Sequence, residues 1–323
     1  MPTRWGMTVP LTGVPLPDHA AVFPALADAG FTDVWSAEVA GTDAFTPLAL
    51  AAAWEPRLRL GTAIAPVFTR GPGLLAMSAA ALAETAPGRF HLGIGASSPV
   101  VVGDWNSVEF AEPYERTRDM LRFLRAALAG EVVSHDYGTF AVRRFRLERP
   151  PATPPPILVA ALRAGMLRLA AAEADGVILN WLSPADVPTV LAETTGARQG
   201  FEVVARIFLC PTEDAEYARS VGRRLLTSYL TVPAYAAFHR WLGREPVLAP
   251  MWRAWAAGDR KAALAAIPDG LVDELFVHGS PAECRERVRA YAEAGVHVPV
   301  MALVPPPGLT PDALPPLLTA LSP

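Results

Sequence analysis

A chain of 323 residues, 51% hydrophobic and 19% charged, carries enough apolar material for one large core and does not have the composition of a disordered protein. Its formal charge of −4 removes any general electrostatic reason to expect nucleic acid or an anionic membrane as partner, so a phosphate site would have to be local. The two cysteines, Cys210 and Cys284, form no CxxC pair and have no histidine at a metal-ligand spacing; that excludes a disulfide framework, leaves no metal site to expect, and lets both read as buried.

Short apolar runs alternate with longer runs rich in Ala and Leu, the rhythm of βαβ units. Trp5–Val9 reads as the first strand, Asp18–Ala29 as a helix capped by Asp18 and stopped at Gly30, and Asp33–Ser36 as the second strand. The cycle repeats with helix Ala44–Trp54, strand Leu58–Ile64, helix Gly73–Thr85, strand Phe90–Ile94 and the long helix Pro113–Ala129. Phe140, Val142 and Phe145 then alternate with polar residues around Tyr137-Gly138, so residues 131–150 read as an inserted hairpin. The stiff, proline-rich Pro150–Pro156 leads into strand Ile157–Ala160, helix Gly165–Ala174, strand Gly176–Leu179, helix Pro184–Thr195 and strand Glu202–Leu209.

Residues 214–270 have a helical pattern, hold aromatics such as Tyr229, Tyr235 and Trp252, and read as an inserted lid. Helix Pro281–Ala294 and strand Val298–Leu303 close the series. Eight strands separated by helices predict an α/β fold, a closed (β/α)8 TIM barrel with residues 1–323 as a single domain, rather than an open doubly wound sheet. The N-terminal stretch has no apolar run of signal-peptide type, being interrupted at Pro10 and Pro15, and no segment reaches the roughly 20 apolar residues of a membrane span. The cytoplasm is the expected location.

In such a barrel ligands gather in the loops that follow the strands. After the second strand stand Glu38 and Asp43; either carboxylate is a candidate acid or base, with Glu38 the better candidate because Asp43 sits where a helix cap belongs. After the fourth, Gly95, Ala96, Ser97 and Ser98 offer small side chains, hydroxyls and free amides suited to a planar ring. After the fifth, Ala160, Ala161, Leu162 and Arg163 open a helix whose first amides, together with the guanidinium, are the ingredients of a phosphate site. Asn180 and Trp181 reach the same rim after the sixth.

The runs Trp35-Ser36-Ala37-Glu38, Gly41-Thr42-Asp43-Ala44-Phe45-Thr46-Pro47, Leu58-Arg59-Leu60-Gly61-Thr62-Ala63-Ile64 and Gly88-Arg89-Phe90-His91-Leu92-Gly93-Ile94-Gly95 resemble the luciferase-like family, and within it the members that use coenzyme F420. Pro113-Tyr114-Glu115-Arg116, Ala174-Asp175-Gly176-Val177 and Phe276-Val277-His278-Gly279-Ser280-Pro281 follow the same pattern in order, so the resemblance spans nearly the whole chain. It implies a barrel of the bacterial-luciferase type and a cis peptide bond between Ala63 and Ile64 that bulges against the cofactor ring. It further implies that Gly95–Ser98, Ala160–Arg163 and Asn180 surround F420, with its phosphate near the helix that begins around Ala164, and that the protein is a homodimer acting on a small-molecule substrate. FMN, in a monooxygenase using dioxygen, is the alternative cofactor, and a cofactor-binding protein without turnover is a third reading. Arg163-Ala164 stands where relatives often have Gly-Pro, which shifts the phosphate grip toward a side chain. Members that oxidise glucose 6-phosphate carry histidine where Glu38 stands and a glutamate within the loop Ala96–Ser98, so that substrate is not expected.

Overall fold

The alternating apolar runs close into a parallel barrel in the computed structural model, which describes residues 4–323. The first half contributes β1 (Gly6–Thr8), α1 (His19–Asp28), β2 (Asp33–Ser36), α2 (Thr46–Trp54), β3 (Arg59–Thr62), β4 (Ala65–Pro66), α3 (Pro72–Thr85), β5 (Phe90–Gly95) and α4 (Pro113–Leu128). An antiparallel hairpin, β6 (Val133–Asp136) and β7 (Ala141–Phe145), precedes β8 (Ile157–Ala160), α5 (Ala164–Glu173), β9 (Gly176–Asn180), α6 (Val187–Ala192) and β10 (Glu202–Pro211). Five helices follow, α7 (Ala215–Leu230), α8 (Pro233–Trp241), α9 (Glu245–Ala256), α10 (Arg260–Ala265) and α11 (Asp269–Leu275), and the chain ends with β11 (Val277–Gly279), α12 (Pro281–Glu293), β12 (Val298–Leu303) and α13 (Leu314–Leu321). Strands β1, β2, β3, β5, β8, β9, β10 and β12 pair in parallel in that order, and β12 returns to β1, which closes the eight-stranded barrel expected from the sequence.

Several details differ from the sequence expectation. Leu16–Asp18 is a 3-10 turn, and the Asp18 carboxylate caps no helix. The run Leu58–Ile64 is not one strand: β3 stops at Thr62, and the chain resumes as β4 after a cis peptide bond between Ala63 and Ile64. Strand β11 was not anticipated, because its three residues carry no period; it is held by pairing with the C-terminal end of β10.

Since strand side chains alternate between faces, the register determines what fills the barrel, and the stagger of the strands sets inward residues of alternate strands at common levels. Arg4, Asp33, Arg59, His91 and Glu202 close the N-terminal end, where Arg4 Nη2 meets Asp33 at 3.1 Å and Glu202 at 2.7 Å. His91 Nδ1 lies 2.8 Å from Glu202, and Arg59 Nη2 lies 2.6 Å from His91 Nε2.

Trp35, Leu158, Ile178, Val204, Val298 and Val300 form the apolar middle. The Trp35 indole fits because glycines face it: a Cβ on Gly61 would stand 2.2 Å from the indole, and one on Gly6 3.0 Å. Above this plug the inward positions are Thr8, Ala63, Gly95, Ala160, Asn180 and Arg206.

The helices pack around the barrel through one large apolar cluster, while α7 to α11 build a second core of their own with Trp181, Phe208 and Phe276. This lid is tied to the barrel by Arg244, whose Nη2 donates to Asp186 at 2.7 Å and also reaches Glu274. Cys210 and Cys284 are buried free thiols, and burial pushes them up to about 11 and about 12. No helix among the described residues is long and apolar enough to cross a membrane.

Candidate active site at the barrel mouth

Three of the sequence-predicted positions meet on the floor of the mouth. A Cβ added to Gly95 would stand 3.0 Å from the Ala160 Cβ and 3.4 Å from Ile64 Cγ1, so glycine and alanine leave a shallow recess beside the Ile64 side chain. Ala63 and Ile64 are pinned from outside the barrel: Ala63 N–H donates to Ser36 O at 2.6 Å, and the Ile64 carbonyl accepts the Glu38 N–H at 3.2 Å. Beyond β5, Ala96, Ser97 and Ser98 are half-buried; Ser97 has φ 66°, and Ser98 Oγ accepts the Val101 amide at 3.3 Å.

The two candidate carboxylates differ in what occupies them. Asp43 Oδ1 takes the amides of Phe45 at 2.8 Å and Thr46 at 3.0 Å, the work of a helix cap. Burial raises the Asp43 carboxyl, but the hydrogen bonds from Thr46 and Phe45 and the nearby Arg70 outweigh it and leave it below its ordinary value. Glu38 Oε2 accepts from Arg70 Nη2 at 2.7 Å, Arg70 Nε at 3.0 Å and the Ala44 amide at 3.0 Å, whereas Oε1 has a single longer bond, 3.2 Å from Arg70 Nε. Arg70 is held in turn by the Phe45 ring, 4.8 Å from its Cζ.

On the far side of the mouth, Ala160 to Arg163 run from β8 into α5. Ala161 is buried and its N–H bonds the Ile178 carbonyl at 3.1 Å, Leu162 is half-buried, and Arg163 is exposed at the helix N-terminus. No side chain caps α5, so its first-turn amides face outward beside a guanidinium that has no ion-pair partner among the described residues. Asn180 Nδ2 donates to the Tyr235 hydroxyl of the lid at 2.9 Å, while Asn180 Oδ1 and Thr8 Oγ1 are buried without a hydrogen-bond partner. Burial pushes the Tyr235 hydroxyl above its ordinary value, so it stays protonated and its own hydrogen remains to be donated.

Sequence reasoning missed Arg206, Thr8 and Tyr235. Arg206 pairs in register with Asn180 and Val300, and it shares its face of β10 with Val204 of the barrel plug, so it points into the mouth. The signal was a lone cation in the otherwise apolar run Val203–Cys210 of a strand buried on both faces.

Residues 2–298 match the family model described as luciferase-like monooxygenase. Among curated proteins the chain is similar to a putative coenzyme F420-dependent oxidoreductase of Mycobacterium tuberculosis, 29% identical over 319 residues covering 89% of this chain and 91% of the relative. It is also similar to a 5,10-methylenetetrahydromethanopterin reductase of Archaeoglobus fulgidus, 25% identical over 282 residues covering 83% of this chain and 84% of that one. Among solved structures an F420-dependent secondary alcohol dehydrogenase, in complex with an F420-acetone adduct, superposes with a TM-score of 0.80 over 100% of both chains at 16% identity, a likeness of fold.

Proposed function

The chain belongs to the luciferase-like monooxygenase family, and from that premise we propose that it is a coenzyme F420-dependent oxidoreductase, moving a hydride between the deazaflavin and a small organic substrate, with reduction of an unsaturated bond as the reaction class. The observation that carries the reading is the mouth itself: a recess at Gly95 and Ala160 that a Cβ would fill, beside buried polar atoms of Thr8 and Asn180 that lack partners. The name of the Mycobacterium tuberculosis relative, a putative coenzyme F420-dependent oxidoreductase, supports the choice of deazaflavin. Bound there, F420 would supply the ring carbon that gives or takes the hydride.

The residues fit such a group. Ala63, Ile64 and Gly95 would carry the flat ring, Ala96, Ser97 and Ser98 its polar edge, and Asn180 Oδ1 would gain a donor. Ala160, Ala161 and Leu162 would flank the ribityl chain, and the α5 amides with Arg163 would take the phosphate. Trp181, Phe208 and the lid exclude water from the mouth.

Proton exchange falls to Glu38 rather than Asp43, because Asp43 does the work of a helix cap through Oδ1, whereas Glu38 Oε1 has a single bond of 3.2 Å and keeps lone-pair capacity. Glu38→Gln should lower turnover about 10²–10⁴-fold and remove the acid-base limb of the rate profile. Its affinity for F420 should be unchanged. An undiminished rate in that variant would move the proton to another group. The reading as a whole is tested by equilibrium titration with F420 and, separately, FMN, followed by tryptophan fluorescence and cofactor absorbance. Tighter binding of F420 is expected; preference for FMN together with substrate-dependent oxygen consumption would make the protein a monooxygenase instead.

A further inference from the structure

Strands β3 and β10 stand four places apart in the ring of eight, so Arg206 faces the Ala63–Ile64 bulge from the opposite wall. The stagger that levels inward residues also puts Arg206 at the height of Thr8, Ala63 and Ala160, one layer above the apolar plug. Arg206 Nε is buried and has no acceptor, and no carboxylate among the described residues forms an ion pair with the guanidinium. The other arginines that enter the barrel, Arg4 and Arg59, are paired with Asp33, Glu202 and His91.

One aromatic ring lies against the cation and continues into a wall of others. Its Cζ lies 4.5 Å from the centre of the Phe208 ring, and Phe208 stacks on Trp181 at 4.3 Å with the planes 12° apart. Tyr229 approaches Phe208 at 5.8 Å and Tyr235 at 5.3 Å, which carries the aromatic wall up to the lid. Beside it, the Tyr235 hydroxyl and the Asn180 amide supply further polar atoms.

Arg206 is half-buried with its Nε shut from water and without an acceptor, so an anion entering the mouth would meet unspent donors. The described residues supply no such anion, and a planar fork of N–H donors suits a carboxylate held by two hydrogen bonds. Apolar walls of ring size suit a flat or aromatic body. We propose that Arg206 anchors the carboxylate of an aromatic or similarly flat carboxylic acid, the substrate class of this site. The inference rests on the mouth being the active site: with the ring against Ile64, the space left for substrate lies on the Arg206 side. The phosphate position at α5 follows β8, two strands from β10 both in chain order and in the ring, so one arginine does not serve both.

The probes are benzoate and cinnamate, each titrated against its amide onto the F420-saturated protein and, in parallel, onto the protein alone. Tryptophan and deazaflavin fluorescence report binding. At least one acid should bind about tenfold or more tighter than its amide, and Arg206→Met should erase that difference while leaving F420 affinity unchanged. Arg206→Lys should retain part of it, which separates loss of the anchor from loss of the fold. Absence of any preference for acid over amide would overturn the proposal. So would an Arg206→Met protein that keeps the preference but binds F420 at least about tenfold more weakly, because the guanidinium would then serve the ring edge. If the acid preference appears in the protein alone while F420 does not bind, the anchor stands and the cofactor reading falls.

Discussion

At the N-terminal end of the barrel two arginines, a histidine and two carboxylates lie within hydrogen-bond reach of one another; toward the C-terminal end Arg206 lies over the Phe208 ring with no anion beside it. Both ends are lined by the same strands and separated only by the Trp35 plug, so the contrast does not come from depth or backbone. It comes from what each end is for. A closed end gains from charges that satisfy one another, because an unpaired buried charge is costly, whereas an open end that binds a ligand keeps donors unspent. On the proposed function, the paired charges of the N-terminal end would serve stability and the unspent donors of Arg206 would serve a ligand.

The largest test of that contrast is Glu202, which accepts from Arg4 and meets His91 while only 15% exposed. Glu202→Ala leaves Arg4 and His91 without their shared carboxylate and should cost about 3–5 kcal/mol. At roughly 2 °C per kcal/mol for a chain of this size, the melting temperature should fall by about 6–10 °C. The same residue makes a pH prediction. Burial raises the Glu202 carboxyl, but the His91 hydrogen bond and the positive charges of His91, Arg4 and Arg59 outweigh that and hold it below the ordinary 4.5. A carboxylate whose folded value is depressed contributes stability that is present above pH 4.5 and is lost as pH falls through the folded value. In Glu202→Gln the gap in melting temperature to the parent should therefore be widest above pH 5 and close on acidification. A gap that stays constant with pH, or no gap at all, would show that the N-terminal charges do not lock the barrel.

The barrel was legible because strand and helix periods alternate along the whole chain, and neither signal depends on partners. What depended on partners was not. Leu58–Ile64 reads as one apolar run, yet the chain leaves the sheet at Ala63, and nothing in the side chains of that run announces the turn. Asp43 was ambiguous because a helix cap and a catalytic carboxylate use the same residue type after a strand; only its bonds to the Phe45 and Thr46 amides separate the two. Gly95 and Ala160 were named from their places after the fourth and fifth strands and Ile64 from motif resemblance, and the structure makes them neighbours, as it does the Glu38 amide and the Ile64 carbonyl. Arg206 escaped because a strand covered on both faces gives no in–out pattern; its direction follows from register with Asn180 and Val300, which one sequence does not display.

The smallest expected effect is the sharpest discriminator. Glu202 and Arg206 are both partly buried charges on β10, four residues apart and on the same face of one strand. If charge on this face served stability at both ends, truncating either would destabilise. The geometry says otherwise for Arg206, since removing a cation that has no anion breaks no pair; the loss is its stacking on Phe208. A cation–π contact at a half-buried position is worth about 0.5–1 kcal/mol. Arg206→Met, which keeps the aliphatic packing, should therefore melt within about 2 °C of the parent or above it, a shift of no more than about 1 kcal/mol. A loss comparable to that of Glu202→Ala would mean that Arg206 has a structural partner and that the two ends of the barrel follow one rule; an unchanged or raised melting temperature would show that the cation does not hold the fold together, as a residue kept for a ligand requires.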